Sequence, residues 1–205
     1  MSKKEFFLRT AIALLGILIL SFGIGILLSG NVGTDPYTAA NVAVSSKLNI
    51  PFSLYQVLIN LVLLIYVFIF DRKYIGIGTV LMLFFVGFLI EFFNKLILNF
   101  INFDFNFIIY VIFLVLGILI MTFGISLYMS VRVGSAPYDA IAPIVSEQIG
   151  MEFKYVRIIQ DILFMSIALI FNGPVNVATI ISAFFVGALI DFWNYKISTP
   201  LLKKV

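Results

Sequence analysis

The chain contains no cysteine and no histidine in 205 residues. The first absence removes disulfide and thiol chemistry. The second removes the commonest protein metal ligand and the side chain that titrates near neutral pH, so any proton-linked step must use aspartate or glutamate. Tryptophan occurs once, and charged residues make up 11% of the chain, where a soluble domain carries about 25%. Apolar residues fill the gap: 62% of the chain is hydrophobic, including 23 phenylalanines, and mean hydropathy is +1.17. One core of this size does not hide so much apolar surface, which must therefore face lipid. The sequence also lacks a nucleotide loop, a metal-ligand cluster and a catalytic triad. It is expected to need no cofactor, to bind no nucleic acid and not to be an enzyme.

What is present is present twice. Leu15-Gly16-Ile17-Leu18-Ile19 returns as Leu116-Gly117-Ile118-Leu119-Ile120, and Phe22-Gly23-Ile24 as Phe123-Gly124-Ile125. Val32-Gly33-Thr34-Asp35-Pro36-Tyr37 returns as Val133-Gly134-Ser135-Ala136-Pro137-Tyr138, all at an offset of 101. Phe84-Phe85-Val86-Gly87 and Glu91-Phe92-Phe93-Asn94 return at an offset of 100, as Phe184-Phe185-Val186-Gly187 and Asp191-Phe192-Trp193-Asn194. A period of this length duplicates a subdomain rather than a solenoid unit. The halves are 1–100 and 101–205, in one compact membrane domain.

Hydropathy places six helices at 6–28, 52–70, 76–98, 107–130, 153–171 and 176–195, each near the ~20 residues that cross a hydrocarbon core. The fifth is weakest, because Lys154 and Arg157 interrupt it. With the N-terminus in the cytoplasm, the inner side holds Lys3, Lys4, Arg9, Arg72, Lys73, Arg132, Lys154, Arg157, Lys196, Lys203 and Lys204, and the outer side only Lys47 and Lys95. That bias satisfies the positive-inside rule with both termini cytoplasmic. The expected fold is an all-α polytopic membrane protein of six transmembrane helices, two inverted three-helix repeats, each with a short re-entrant or interfacial helix after its first span. An eight-span alternative lets 36–48 and 137–149 cross and makes the repeats parallel, but it moves Arg72, Lys73 and Arg132 outside.

Three motifs, Val32-Gly33-Thr34-Asp35-Pro36-Tyr37, Gly76-Ile77-Gly78-Thr79-Val80 and Val86-Gly87-Phe88-Leu89-Ile90-Glu91, resemble those of the YczE/YyaS/YitT group of bacterial integral membrane proteins. The resemblance covers about residues 10–195 and implies a bacterial plasma-membrane protein, with no settled substrate. The second half departs from the pattern: Asn176-Val177-Ala178-Thr179 stands in place of Gly-x-Gly-Thr, and Ala136 in place of Asp35.

The candidate site residues follow from the repeat. The Gly-x-x-Pro-Tyr turns place Pro36, Tyr37, Pro137 and Tyr138 at the start of short segments. As re-entrant half-helices these segments would point free N–H groups into the protein; as interfacial helices they would use the tyrosines as belt aromatics. Asp35 and Asp139 lie at those starts, either as caps or lining a pathway. Asn60 and Asp161 are repeat-equivalent and lie near mid-helix. Gln56 and Arg157 precede them by one turn, and Gln160 adjoins Asp161. A carboxylate at membrane depth is costly and faces protein or water, and Arg157 at i−4 is its expected partner. Glu91 and Asp191 end the third and sixth spans and are read as solvated. Ser21-x-x-x-Gly25 and Thr122-x-x-x-Ser126 are read as packing pairs that bring spans one and four together, with Gly87 and Gly187 as a matched packing pair. The basic ends at Lys3-Lys4 and Lys203-Lys204 are read as membrane-surface anchors.

Two functions fit. One is a small secondary transporter of an unidentified small solute or ion, with its site at the repeat interface near mid-membrane. The other is a membrane-embedded accessory protein that binds a partner or a lipid without transport. The partners expected are the bilayer, the solute or ion, and a homodimer mate or larger membrane protein.

Overall fold

The computed structural model describes residues 2–100 and 106–202. Lys203, Lys204 and the junction at 101–105 lie outside the described residues. Every described element is helical. They are α1 (Lys3–Ser29), α2 (Pro36–Leu48), α3 (Phe52–Phe70), α4 (Ile77–Phe100), α5 (Phe107–Ser130), α6 (Pro137–Ile149), α7 (Phe153–Ile170), α8 (Val177–Trp193) and α9 (Thr199–Leu202). A 3₁₀ turn at Arg72–Tyr74 precedes α4, and a π turn at Asn194–Ser198 joins α8 to α9.

Local chemistry fixes the boundaries. Ser2 and Glu5 form a capping box that starts α1, satisfying N–H groups that have no intrahelical partner. Proline opens both α2 and α6, where its missing N–H costs nothing. Gly33 and Gly134, in the turns before them, have φ of +91° and +116°, a region that favours glycine.

Five segments are long and apolar enough to cross a membrane: Lys3–Ser29, Phe52–Phe70, Ile77–Phe100, Phe107–Ser130 and Val177–Leu202. The sixth expected span, α7, has 18 residues and carries Lys154, Arg157 and Asp161, and it is not among the five. Outward-facing phenylalanines, among them Phe84, Phe88, Phe92, Phe184 and Phe185, are at least half exposed. This is the surface of a protein solvated by lipid tails.

α1 packs against α5 along an extended seam. A Cβ on Gly23 would stand 2.4 Å from the Met121 N, and one on Gly124 would stand 2.3 Å from the Leu20 N. Gly16 meets the Tyr128 N, and Gly30 meets the Phe113 ring. Partners on α5 fall in number as those on α1 rise, so the helices are antiparallel. Close backbone approach of this kind is what small residues provide between helices in lipid. The expected meeting of spans one and four occurs, but on other residues. Gly25 packs on Phe93 of α4, Thr122 accepts a hydrogen bond from Trp193 Nε1 at 3.1 Å, and Ser126 bonds Asn194 and Ser198. The hydroxyls of Thr122 and Ser126 thus face the α8 segment, where side chains bond them, while the Ser21 hydroxyl is buried without a partner. Gly87 packs on Ser53 and Gln56, whereas nothing lies within 4 Å of a Cβ at Gly187, so those two glycines are not a matched packing pair.

α4 flanks α1 and α8 flanks α5, while α2 lies on α7 and α6 on α3. The turn after α1 docks on the start of α8: Ala178 N donates to Val32 O at 2.9 Å and Thr34 N to Thr179 Oγ1 at 3.3 Å. The turn after α5 docks on the start of α4, with Gly78 N donating to Val133 O at 2.8 Å. These turns deliver α2 and α6 into the bundle, where their N-terminal residues Pro36, Tyr37, Pro137 and Tyr138 are buried.

Candidate functional site

The second residue of α2 and the second residue of α6 meet. Tyr37 and Tyr138 stack with ring centroids 4.3 Å apart and planes at 19°, and Phe164 of α7 abuts both rings edge-on, at 5.3 and 5.1 Å. Each tyrosine hydroxyl reaches the middle of a long helix. Tyr37 donates to Asn60 Oδ1 on α3 at 2.7 Å, and Tyr138 donates to Asp161 Oδ1 on α7. Asn60 and Asp161 are both buried. The motif residues thus bring four elements to one point.

On the α6–α7 side the site is ionic. Arg157 Nη1 donates to Asp139 Oδ1 at 3.0 Å, and its Nε lies 3.5 Å from Asp161 Oδ2. Its guanidinium carbon sits 4.7 Å from the centroid of the Tyr138 ring, a cation–π position. Asp139 also accepts from the Tyr128 hydroxyl, and Gln160 Nε2 donates to Tyr138 O at 2.9 Å. The expected Arg157–Asp161 pair exists, but Arg157 bonds Asp139 more closely. Arg157 is also spent within the site, so it is not a loop cation.

On the α2–α3 side every counterpart is neutral. Thr38 stands for Asp139, Gln56 for Arg157 and Asn60 for Asp161. Gln56 is not brought to the tyrosines. It turns toward Gly87 of α4, and its Oε1 is buried without a hydrogen bond. Asp35 caps α2 by accepting from Thr38 N at 3.0 Å, so the capping reading holds for it. Asp139 is no cap: α6 has no side-chain cap bond, because Arg157 and Tyr128 take its oxygens. Asp35 lies within electrostatic reach of Arg157, Tyr138 and Asp161.

Three participants carried no signal in a linear reading. Tyr128 has Leu27 as its counterpart, so the repeat hides it. Phe164 is one phenylalanine among many. Asn41, one turn after Tyr37, is 2% exposed and its side chain adjoins the Tyr37 hydroxyl. Glu91 is bonded by Lys95 at 2.6 Å and by Ser53 N, and Asp191 is exposed; neither joins the site. Among the described residues no group of acidic side chains has the arrangement of a metal site.

A bundle of apolar helices around a buried polar cluster defines a polytopic helical membrane protein. The chain belongs to the DUF6198 family, a family of unknown function whose model matches residues 7–195. It is similar to the uncharacterized membrane protein YczE of Bacillus subtilis (strain 168), 24% identical over 191 residues, covering 93% of this chain and 87% of that protein. It is also similar to the uncharacterized protein YyaS of the same organism, 28% identical over 201 residues, covering 93% and 94%. An uncharacterized protein of Haemophilus influenzae (strain ATCC 51907 / DSM 11121 / KW20 / Rd) is 21% identical over 183 residues, covering 89% and 82%. No solved structure matches the chain. The resemblance to the YczE/YyaS group read from the motifs is therefore borne out.

Proposed function

We propose that the protein is a small secondary transporter of the bacterial plasma membrane, with six spans in two inverted three-helix repeats and both termini cytoplasmic. It carries a small solute or ion and performs no covalent chemistry. The observation that supports this reading is a set of contacts that map onto themselves when the halves are exchanged. Gly23 on Met121 becomes Gly124 on Leu20. Ala178 on Val32 becomes Gly78 on Val133. Tyr37 on Asn60 becomes Tyr138 on Asp161. Reciprocity of this kind supports a twofold relation, and antiparallel α1 and α5 support an axis in the membrane plane. α7 is then the sixth span, its charges turned to protein rather than to lipid.

In this arrangement α2 and α6 are re-entrant half-helices whose N-termini meet at mid-membrane. Transporters built from inverted repeats hold their substrate at such broken helices. A cleft of about 460 Å³ opens between the far ends of α2 and α7, lined by Ala43, Lys47 and Gly173 among others. Ala43 is six residues beyond Tyr37, about 9 Å of helix, so the cleft is the natural approach to the site from outside. The polar cluster is what rocking of one repeat against the other would expose to each side in turn.

The test is a thermal-shift screen of the purified full chain against a metabolite and ion library, with Asp161→Asn and Asn60→Ala alongside, followed by counterflow uptake of any hit into proteoliposomes. A ligand that stabilises the wild type, fails on the variants and is taken up supports the carrier. Binding without uptake, or no ligand together with co-purification of a larger membrane protein, overturns it in favour of an accessory protein.

A further inference from the structure

The start of α3 is clamped to α4, and the start of its counterpart α7 is not clamped to α8. A Cβ at Gly87 would stand 3.0 Å from Gln56 Oε1 and 3.2 Å from Ser53 Cα. Ser53 N donates to Glu91 Oε2 at 3.3 Å. The repeat gives each of these residues a counterpart: Lys154 for Ser53, Arg157 for Gln56, Gly187 for Gly87 and Asp191 for Glu91. None of the three contacts recurs. Nothing lies within 4 Å of a Cβ at Gly187, and Arg157 turns to Asp139 and Asp161. Among the described residues the Asp191 carboxylate makes no hydrogen bond or ion pair, and Lys154, Gly187 and Asp191 are all exposed. The other end of α7 stays packed, with Ala168 buried against Ala39 and Ala40 of α2. The gap is therefore confined to the start of α7.

Exposure of the polar cluster follows the same division. Arg157 and Asp139 are partly exposed, whereas their counterparts Gln56 and Thr38 are buried. On α2, Thr38 and Asn41 lie between Tyr37 and the outer cleft, and both are buried, so that cleft stops short of the rings. The second half also keeps what closure requires. A glycine inside a helix costs about 1 kcal/mol against alanine, and at Gly87 the missing side chain admits α3. At Gly187 the same glycine touches nothing. Lys154 and Asp191 carry opposite charges, so closure would pair them where Ser53 N meets Glu91.

We infer that α7 and α8 form a gate: the start of α7 closes on Gly187 as α3 closes on Gly87, and α3 then parts from α4. This deepens the carrier reading and rests on it for direction. The start of α7 lies at the inner face in that topology, so the structure is the inward-open state. Exchanging the two packings between the halves gives the outward-open state, the alternation open to an inverted repeat.

The experiment uses the absence of cysteine. Two double variants of the full chain, Ser53→Cys with Gly87→Cys and Lys154→Cys with Gly187→Cys, are oxidised with copper phenanthroline in membrane vesicles. Thiols left free are counted by mass after maleimide capping. Positions 53 and 87 stand within disulfide reach and should cross-link fast. Positions 154 and 187 are exposed, so their substitution leaves the packing intact, and they should cross-link more slowly, through the second state. Lys154→Cys with Phe185→Cys, about 200° round α8 from Gly187, is the collision control and should be at least tenfold slower again. A variant carrying all four changes at 53, 87, 154 and 187 should never hold both disulfides in one chain. A pair at 154 and 187 no faster than its control, or chains holding both disulfides, overturns the gate. If Gly87→Cys misfolds, the pair at 154 and 187 against its control decides alone. Two exclusive disulfides in a chain that takes up no solute keep the gate and remove the carrier. Solute uptake by a chain whose 154 and 187 pair never closes does the reverse.

Discussion

Replacing Gly23 by alanine should destabilise the protein, and the structure sets the size of the effect. The new Cβ would lie 2.4 Å from Met121 N and 2.7 Å from Met121 Cα, about 1 Å inside ordinary van der Waals contact. Both atoms are backbone, so no change of rotamer relieves the overlap, and α1 and α5 must separate along their seam. Overpacking costs about 1–3 kcal/mol, and a backbone clash belongs at the upper end. Alanine regains about 1 kcal/mol over glycine in a helix interior, which leaves a net loss of about 2 kcal/mol. For a chain of this size that lowers the melting temperature by about 4–8 °C. Gly124→Ala should match it, because Gly124 meets Leu20 N at 2.3 Å in the reciprocal contact. Gly187→Ala is the comparison: nothing lies within 4 Å, so only the propensity gain remains and the melting temperature should hold or rise slightly. The assay is thermal unfolding in one detergent for all three variants. Gly23→Ala and Gly187→Ala melting together would refute the seam.

Arg157→Gln strips the cation from Asp139 and Asp161 and should cost about 2 kcal/mol or more in mixed-micelle unfolding, somewhat below the figure for a fully buried pair because the arginine is partly exposed. The triple change Arg157→Gln, Asp139→Thr, Asp161→Asn copies the neutral chemistry of Gln56, Thr38 and Asn60 and should regain most of that loss; if it stays as unstable as the single variant, the ionic network is not the cause. Because the chain has no cysteine, single cysteines report topology: in intact cells an impermeant maleimide should label Lys47→Cys and spare Lys73→Cys, and the opposite pattern reverses the orientation. The Lys73 ammonium, 2.7 Å from Asp71, holds the Asp71 carboxyl below the ordinary carboxylate range by its hydrogen bond. A depressed carboxylate contributes stability above its unfolded value and loses it as pH falls through the lowered folded value. The melting temperature of the wild type should therefore exceed that of Asp71→Asn at pH 6, and the gap should close on acidification below about pH 4; a gap that persists there contradicts the assignment.

Much of this protein was determined by the sequence alone. The helices follow from local rules: apolar runs set their lengths, prolines open α2 and α6, and Ser2 and Asp35 cap the helices that follow them. The repeat equates Tyr37 with Tyr138 and Asn60 with Asp161, and the fold joins all four. Tertiary structure alone decided which face meets which neighbour. Ser21-x-x-x-Gly25 and Gly16-x₆-Gly23 are equally small on paper, yet Gly16 and Gly23 take the α1–α5 seam while Gly25 packs on α4. Hydroxyls such as those of Thr122 and Ser126 go where Trp193 and Asn194 satisfy them. Arg157 had a partner one turn away and took Asp139, across a turn between helices, more closely. Helix position is a property of a few consecutive residues. The partner of a buried polar group is a property of the space between helices, and that space exists only once the halves have packed.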